Sequence, residues 1–360
     1  MSAGRNVDDV LVQWGDRLFY PGNRIVKPLH TPKLTARAGA IRNRIVGVVR
    51  RAPQVIVKTG GGGKGMSAIH DHLRYITRNG ELEFEDDRGE VREGKEALLD
   101  LERQWRYGGA FIPNISTRQE SRNLMLAMPA GTDAQGVRQA ARECARTVLA
   151  GYRYVMVLHT HQTSPHVHLC VKNQSITGER LSIGPPDLKR WRATFAEKLR
   201  DRGIEAEATP QAARGATRKF HTLWQLKARD AGRLSAKIHE TKSGPVVEKT
   251  LGDALEAWSN ILVALRESDR HDDRDLATQV GDFLCRTPYV REVLRRDPEA
   301  MPGVRRYLED NRGRIEESER SWRRERAAAL ERATSVERGR QSNGLEGTTQ
   351  RTQTGPEIVR

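Results

Sequence analysis

Residues 159–171, HTHQTSPHVHLCV, place four imidazoles within ten residues: His159, His161, His166 and His168. In an extended chain, residues two apart project from the same face. His166 and His168 therefore share one side of a strand, with Val167 and Leu169 on the other. The preceding run YVMVLHT reads as a second strand, and Ser164-Pro165 marks the connection, because proline has no N–H to give to a sheet ladder. Pairing the two as an antiparallel hairpin sets His159 opposite His166, with Cβ atoms roughly 5 Å apart, and three imidazoles meet on one face. Neutral imidazole binds divalent transition metals, and three protein ligands leave positions free for water and substrate, as in catalytic sites. Histidines alternating with apolar residues also suit ordinary packing on a half-buried strand; their number and the proline favour the metal. His161 has three readings: a ligand, a proton acceptor beside the ligands, or a turn residue. Cys170 lies farther along the strand face of His168 and reads as core.

The elements that must hold these residues are legible from spacing. QVIVK is a strand that runs into the glycines at 60–63, and MSAIHDHLRYITRNG is a helix with Ile69, Leu73 and Ile76 on one face and a stop at Gly80. A helix around 94–107 precedes the strand NLMLAMP, and Thr132 or Asp133 caps the helix that follows. ITGERLSI forms a short hairpin and DLKRWRATFAEKLRDRG a further helix. This order predicts an α/β (α+β) fold, a two-layer sandwich of a mainly antiparallel sheet with helices packed on it. Four regions are expected: a basic N-terminal arm over 1–52, the sheet-bearing domain over 53–235, a mostly helical region over 236–340, and a disordered tail over 341–360.

The formal charge of +15 calls for a polyanionic partner, either nucleic acid or an acidic membrane surface. No apolar run of about 18 residues is present for a membrane span, and MSAGRNVDDVLVQWGDRLFY lacks a secretory pattern. Cys144, Cys170 and Cys285 are too scattered for a disulfide framework or zinc ribbon, so they read as thiols of a reducing cytoplasm. TGGGGKGMS fails the P-loop fingerprint because Gly65 follows Lys64. It reads equally as a flexible turn or as a turn whose amides approach phosphate.

The segment HTHQTSPHVHL resembles the three-histidine motif of conjugative relaxases, mobilisation nucleases of the HUH superfamily (MOB-P type, T-DNA border endonuclease-like), whose usual form is His-x-Asp-x-x-Asn-Pro-His-x-His. The resemblance implies His159, His166 and His168 as metal ligands; His161 stands where Asp is usual and Ser164 where Asn or His is common. HLRYITRNGELEF resembles the family's nucleophile segment and implies Tyr75 as the attacking residue, with Tyr107, Tyr152 and Tyr154 as competitors in the same domain. NLMLAMPAGTD and ATPQAARGATRK extend the likeness to roughly residues 53–235.

Relaxases cut one DNA strand at an origin of transfer. The resemblance thus implies metal-assisted transesterification by Tyr75, a 5′-phosphotyrosine product, and transfer of a plasmid or integrative element. His161 is the expected proton acceptor, although it brings no negative charge. Magnesium or manganese is the implied ion, while three histidines chemically suit zinc as well. Lys64, Arg74, Arg78 and Lys172 are the expected DNA contacts, with Lys189, Arg190 and Trp191 as further positions for backbone contact or stacking. The expected partners are single-stranded or supercoiled origin DNA, a relaxosome protein and a type IV secretion coupling protein. The expected location is the cytoplasm, with passage alongside the DNA into a recipient cell. Two alternatives stand beside this: a rolling-circle replication initiator of the same superfamily, and a DNA-binding mobilisation protein without activity.

Overall fold

Six short runs with buried apolar side chains pair into one antiparallel sheet. They are β1 (Ile56–Thr59), β2 (Phe84–Asp86), β3 (Val91–Arg92), β4 (Ser121–Ala127), β5 (Tyr154–His159) and β6 (His166–Lys172), in the spatial order β1-β4-β6-β5-β2-β3. The structure is a computed structural model and describes residues 6–20, 31–217, 241–297 and 299–317, with 228, 231–233, 320, 321 and 324 besides. It divides into two compact units, residues 19–216 and residues 1–18 with 217–360.

In the first unit, helices α5 (Ala134–Val148) and α6 (Pro185–Arg200) bury Val137, Cys144, Trp191 and Phe195 against Leu124, Met156, Val167 and Leu169 of the sheet. Helices α3 (Met66–Thr77) and α4 (Lys95–Tyr107) cover the opposite face, where Ile69, Leu73, Leu101 and Trp105 meet Val155, Val157 and Cys170. The expected antiparallel sheet with packed helices is thus present, with helices on both faces. Because β5 and β6 are covered on both sides, they read as nearly continuous apolar runs, and the histidines are the exceptions.

Three details were not expected. The hairpin of β2 and β3 is written in charged residues: Glu85 is buried, and Arg142 of α5 holds its carboxylate through two guanidinium N–H groups. The basic N-terminal stretch contains α1 (Val7–Phe19) and α2 (Thr31–Val49), and α2 buries Leu34, Ala38, Ile41, Ile45 and Val48. The glycines after β1 allow close backbone approach, since a Cβ on Gly62 would lie 1.9 Å from the Ser121 carbonyl oxygen. ITGERLSI forms a turn closed by a single bridge between Gln174 and Arg180.

The second unit contains α7 (Pro245–Arg266), α8 (His271–Arg286), α9 (Pro288–Arg296) and α10 (Pro302–Asp310), packed around Trp258, Ile261, Leu284 and Val304. No helix among the described residues is long and apolar enough to cross a membrane. The helical run expected over 321–340, apart from residues 321 and 324, and the tail after 340 lie outside the described residues.

Asp133, not Thr132, caps α5: its carboxylate accepts from the amides of Gln135 and Gly136 at 3.1 and 2.8 Å. Asp133→Ala is expected to cost about 1 kcal/mol, read as a lower urea midpoint with unchanged slope. An unchanged midpoint would show that the cap is dispensable.

Candidate functional site

Helix α3 delivers Tyr75 to the sheet because of how it stops. Arg78, Asn79 and Gly80 all take positive φ (51°, 59° and 88°), so the chain turns away within one residue of Thr77 and leaves Tyr75 in the last turn. The last carbonyls of a helix have no intrahelical donor, and the carbonyl of Ile76 finds one across the interface. It accepts from Nε2 of His159 at 2.6 Å. A carbonyl only accepts, so Nε2 carries the proton and the Nδ1 lone pair of His159 is left for another partner.

The β5–β6 register sets His159 opposite His166 and Val157 opposite His168, as the hairpin spacing predicted. Ring centroids lie 5.2 Å apart for His159 and His166, 4.6 Å for His159 and His168, and 5.1 Å for His166 and His168. One nitrogen from each of the three comes within 4.8 Å of the others. Nδ1 of His166 donates to the Ser164 carbonyl at 3.0 Å, which leaves its Nε2 as the lone pair. Burial lowers the His159 pKa, outweighing the bond to Ile76, and burial together with the neighbouring imidazoles pushes His168 down to about 3. His159 and His166 thus each aim a free ring nitrogen beside His168, and converging imidazole nitrogens are the chemistry that a divalent cation requires.

Tyr75 stands at the edge of this cluster. Its ring centroid is 6.3 Å from that of His168, nearly edge-on at 83°, and 67% of the residue is open to solvent. Asp71, Arg74, Tyr75, Arg78, Asn79, Glu81, His159 and His161 line an open cleft of about 520 Å³. His161 sits exposed on the rim, 5.1 Å from the His159 ring and 6.0 Å from that of His166. Its pKa is lowered by partial desolvation and by the Arg78 charge. The competing tyrosines are elsewhere. Tyr154 is buried, with its hydroxyl pushed up to about 12, and Tyr152 packs beside the α5/α6 core. Tyr107 lines a different cleft.

The expected DNA contacts divide. Arg74 and Arg78 reach the cleft. Lys64 is exposed but precedes α3, at the end opposite Tyr75. The expectation for Lys172 is not met, because its side chain is buried and its ammonium donates to the carbonyls of Trp105, Gly108 and Ala110 at 3.0, 3.0 and 3.2 Å. It closes the C-terminal end of α4. Trp191 belongs to the core. The glycine-rich turn does not present a phosphate cradle either: the amides of Met66 and Ser67 donate to the carbonyls of Pro113 and Asn114, and that of Gly63 to Ser121 Oγ.

One neighbour of the cluster was missed. His72 lies one turn before Tyr75, its ring 6.3 Å from the tyrosine ring, with a buried Nε2 that has no hydrogen-bond partner and a pKa lowered by burial. The i, i+3 spacing to Tyr75 was the available signal.

Residues 95–204 match the family model described as "Relaxase: MobA/VirD2-like, nuclease domain". That match contains His159, His161, His166 and His168 and begins after Tyr75. Among curated proteins, the T-DNA border endonuclease VirD2 of Rhizobium radiobacter is 27% identical over 182 residues, 45% of this chain and 43% of that protein. Those of Agrobacterium fabrum and Rhizobium rhizogenes are each 27% identical over 194 residues, 48% of this chain and 43% and 44% of theirs. The matched segment therefore spans less than half the length of each relative.

Two outcomes follow from this geometry. Lys172→Met is expected to lower stability by about 2 kcal/mol, the cost of leaving buried carbonyls unpaired, without changing the salt dependence of DNA affinity; a change in the salt slope would make it a DNA contact. In the metal-free protein, His168 refuses a proton that the unfolded chain accepts near 6.5. Stability is thus complete above that pH and falls as the pH drops from 6.5 toward about 3. His168→Gln should flatten this acid limb in urea titrations, and an unaltered limb would count against the burial of the neutral imidazole.

Proposed function

We propose that this chain, whose residues 95–204 match the nuclease-domain model of MobA/VirD2-like relaxases, nicks one DNA strand at an origin of transfer and becomes joined to the cut end through Tyr75. The domain is taken as residues 53–235. The observation that carries this reading is the placement of an exposed tyrosine in the last turn of α3, edge-on to His168 of a three-histidine cluster.

The chemistry is a displacement at phosphorus. The Tyr75 oxygen bonds to the scissile phosphate, the bond to the 3′-oxygen breaks, and the phenolic proton passes to a base while the departing oxygen gains one to become a 3′-hydroxyl. A phenol is almost fully protonated at neutral pH, so it needs that base. His161 on the rim is the assigned acceptor, its lowered pKa keeping it neutral and able to take a proton. The acid usual at this motif position is missing, but Asp71 and Glu81 line the same cleft and supply negative charge there. His159, His166 and His168 would hold a divalent ion, Mg²⁺ or Mn²⁺ by family and Zn²⁺ by donor type, whose contribution is polarisation of the phosphate. Arg74 and Arg78 carry the phosphates on either side of the reacting one.

The ester retains the energy of the broken bond, so the reverse reaction rejoins the strand without a nucleotide cofactor. In this reading the protein works in the donor cytoplasm on supercoiled origin DNA. It acts with a relaxosome protein and a type IV secretion coupling protein, and it travels with the strand it has cut.

The test is incubation with a supercoiled plasmid bearing the element's own transfer region, with and without Mg²⁺ or Mn²⁺, followed by detergent and protease. Relaxed circles blocked by protein at one 5′ end are expected. Tyr75→Phe should abolish the adduct and leave binding nearly intact. An adduct with the phenylalanine variant would remove Tyr75 from its role; binding without nicking under both ions would reduce the protein to a DNA-binding relative.

A further inference from the structure

A second cleft, of about 650 Å³, opens at the other end of α3 between its first turns, α4 and the loop that follows α4. Three large apolar side chains line it in solvent, Leu99 at 45% exposure, Tyr107 at 66% and Ile115 at 84%, and a fourth, Phe111 at 61%, stands beside the Tyr107 ring. Isolated exposed apolar residues need no explanation, but four gathered at one opening form a patch that water disfavours. Two of them are aromatic and already arranged as a pair, with Tyr107 and Phe111 ring centroids 5.9 Å apart at 38°.

The charges beside these rings are unbalanced in one direction. Arg106 donates to the side-chain oxygen of Asn114, a neutral group, and forms no ion pair among the described residues. Glu102, the acid that lines the cleft, is engaged by Nδ1 of His70 at 2.7 Å. Arg103 shares Asp100 at 3.2 Å. Lys64 is exposed, and its carbonyl accepts from the amide of Ser116, next to Ile115. Paired exposed rings with an uncancelled guanidinium fit unpaired bases on a phosphate backbone, since every base offers a π-face and every linkage a negative charge.

We propose that Tyr107 and Phe111 form a stacking platform for single-stranded DNA, with Arg106 holding the adjoining phosphate. The proposal deepens the nuclease reading and relies on it for why a strand should run here. The two clefts share one helix face: Ser67 and His70 line one, Asp71, Arg74, Tyr75 and Arg78 the other. Ser67 and Tyr75 are eight residues apart, about 12 Å along a helix axis. A strand held at both points lies along α3 and presents one linkage to Tyr75.

The test compares the full-length wild type, Tyr107→Ala/Phe111→Ala and Tyr107→Phe by fluorescence anisotropy on a labelled oligothymidylate and on a duplex of the same length. The double variant should bind the single strand more weakly by about tenfold for each ring, with duplex affinity and urea midpoint unchanged. Tyr107→Phe should bind like wild type, because stacking needs the ring and not the hydroxyl. Single-strand affinity unchanged in the double variant, equal losses on both DNAs, or no single-strand binding by the wild type would each overturn the platform. The plasmid nicking assay is independent of this result. Nicking with full single-strand binding by the double variant would defeat the platform alone. Ring-dependent single-strand binding without nicking would defeat the nuclease reading alone.

Discussion

The pairing of β5 with β6 decides whether this protein has a site at all. Side chains alternate along a strand, so a slip of one residue would send His166 and His168 to the α5/α6 side and bring Val167 and Leu169 to the helix bearing the tyrosine. Nothing local in the histidines prevents this. It is prevented by the apolar residues between them: Met156, Val167 and Leu169 fill one core and Val155, Val157 and Cys170 the other. A slipped register would drive imidazoles into an apolar layer without partners, at a cost of several kcal/mol. The chemistry of the strand is therefore held in place by the residues that do none of it.

The same sheet face also fixes the two helices above it, by one device used twice. Each helix ends with carbonyls that lack donors, and in each case a polar side chain from the central strands supplies them. His159 serves the end of α3 and Lys172 the end of α4. One of these residues belongs to the site and the other does not, although both are buried polar residues at the ends of adjoining strands.

That contrast shows what the sequence could carry. The hairpin register, the helix bearing Tyr75 and the core role of Cys170 follow from spacing alone, because periods of two and of three to four residues map directly onto faces. Lys172 was unreadable, since a lysine two residues past Cys170 looks the same whether it meets phosphate or three carbonyls brought together by a chain segment some sixty residues away. The β2–β3 hairpin was hidden for a related reason: Glu85 is buried only because Arg142 of α5 is there to meet it. In α2, Leu34, Ala38, Ile41 and Ile45 have a plain helical spacing, and reading the stretch by its charge passes over it. Tertiary partners, not local preference, decided Lys172 and Glu85, whereas α2 was legible in its own spacing.

The site joins two parts of unlike stiffness. The histidines extend from β5 and β6, and β6 lies inside the sheet with a paired strand on each side, where opening requires the whole layer to come apart. Tyr75 occupies the final turn of a helix, the part of that element that opens at least cost. In the proposed reaction a covalently held DNA end would hang from the pliant partner while the phosphate seat stayed fixed. A protein so built could give way to the movement of a tethered strand without losing the place to which that strand must return.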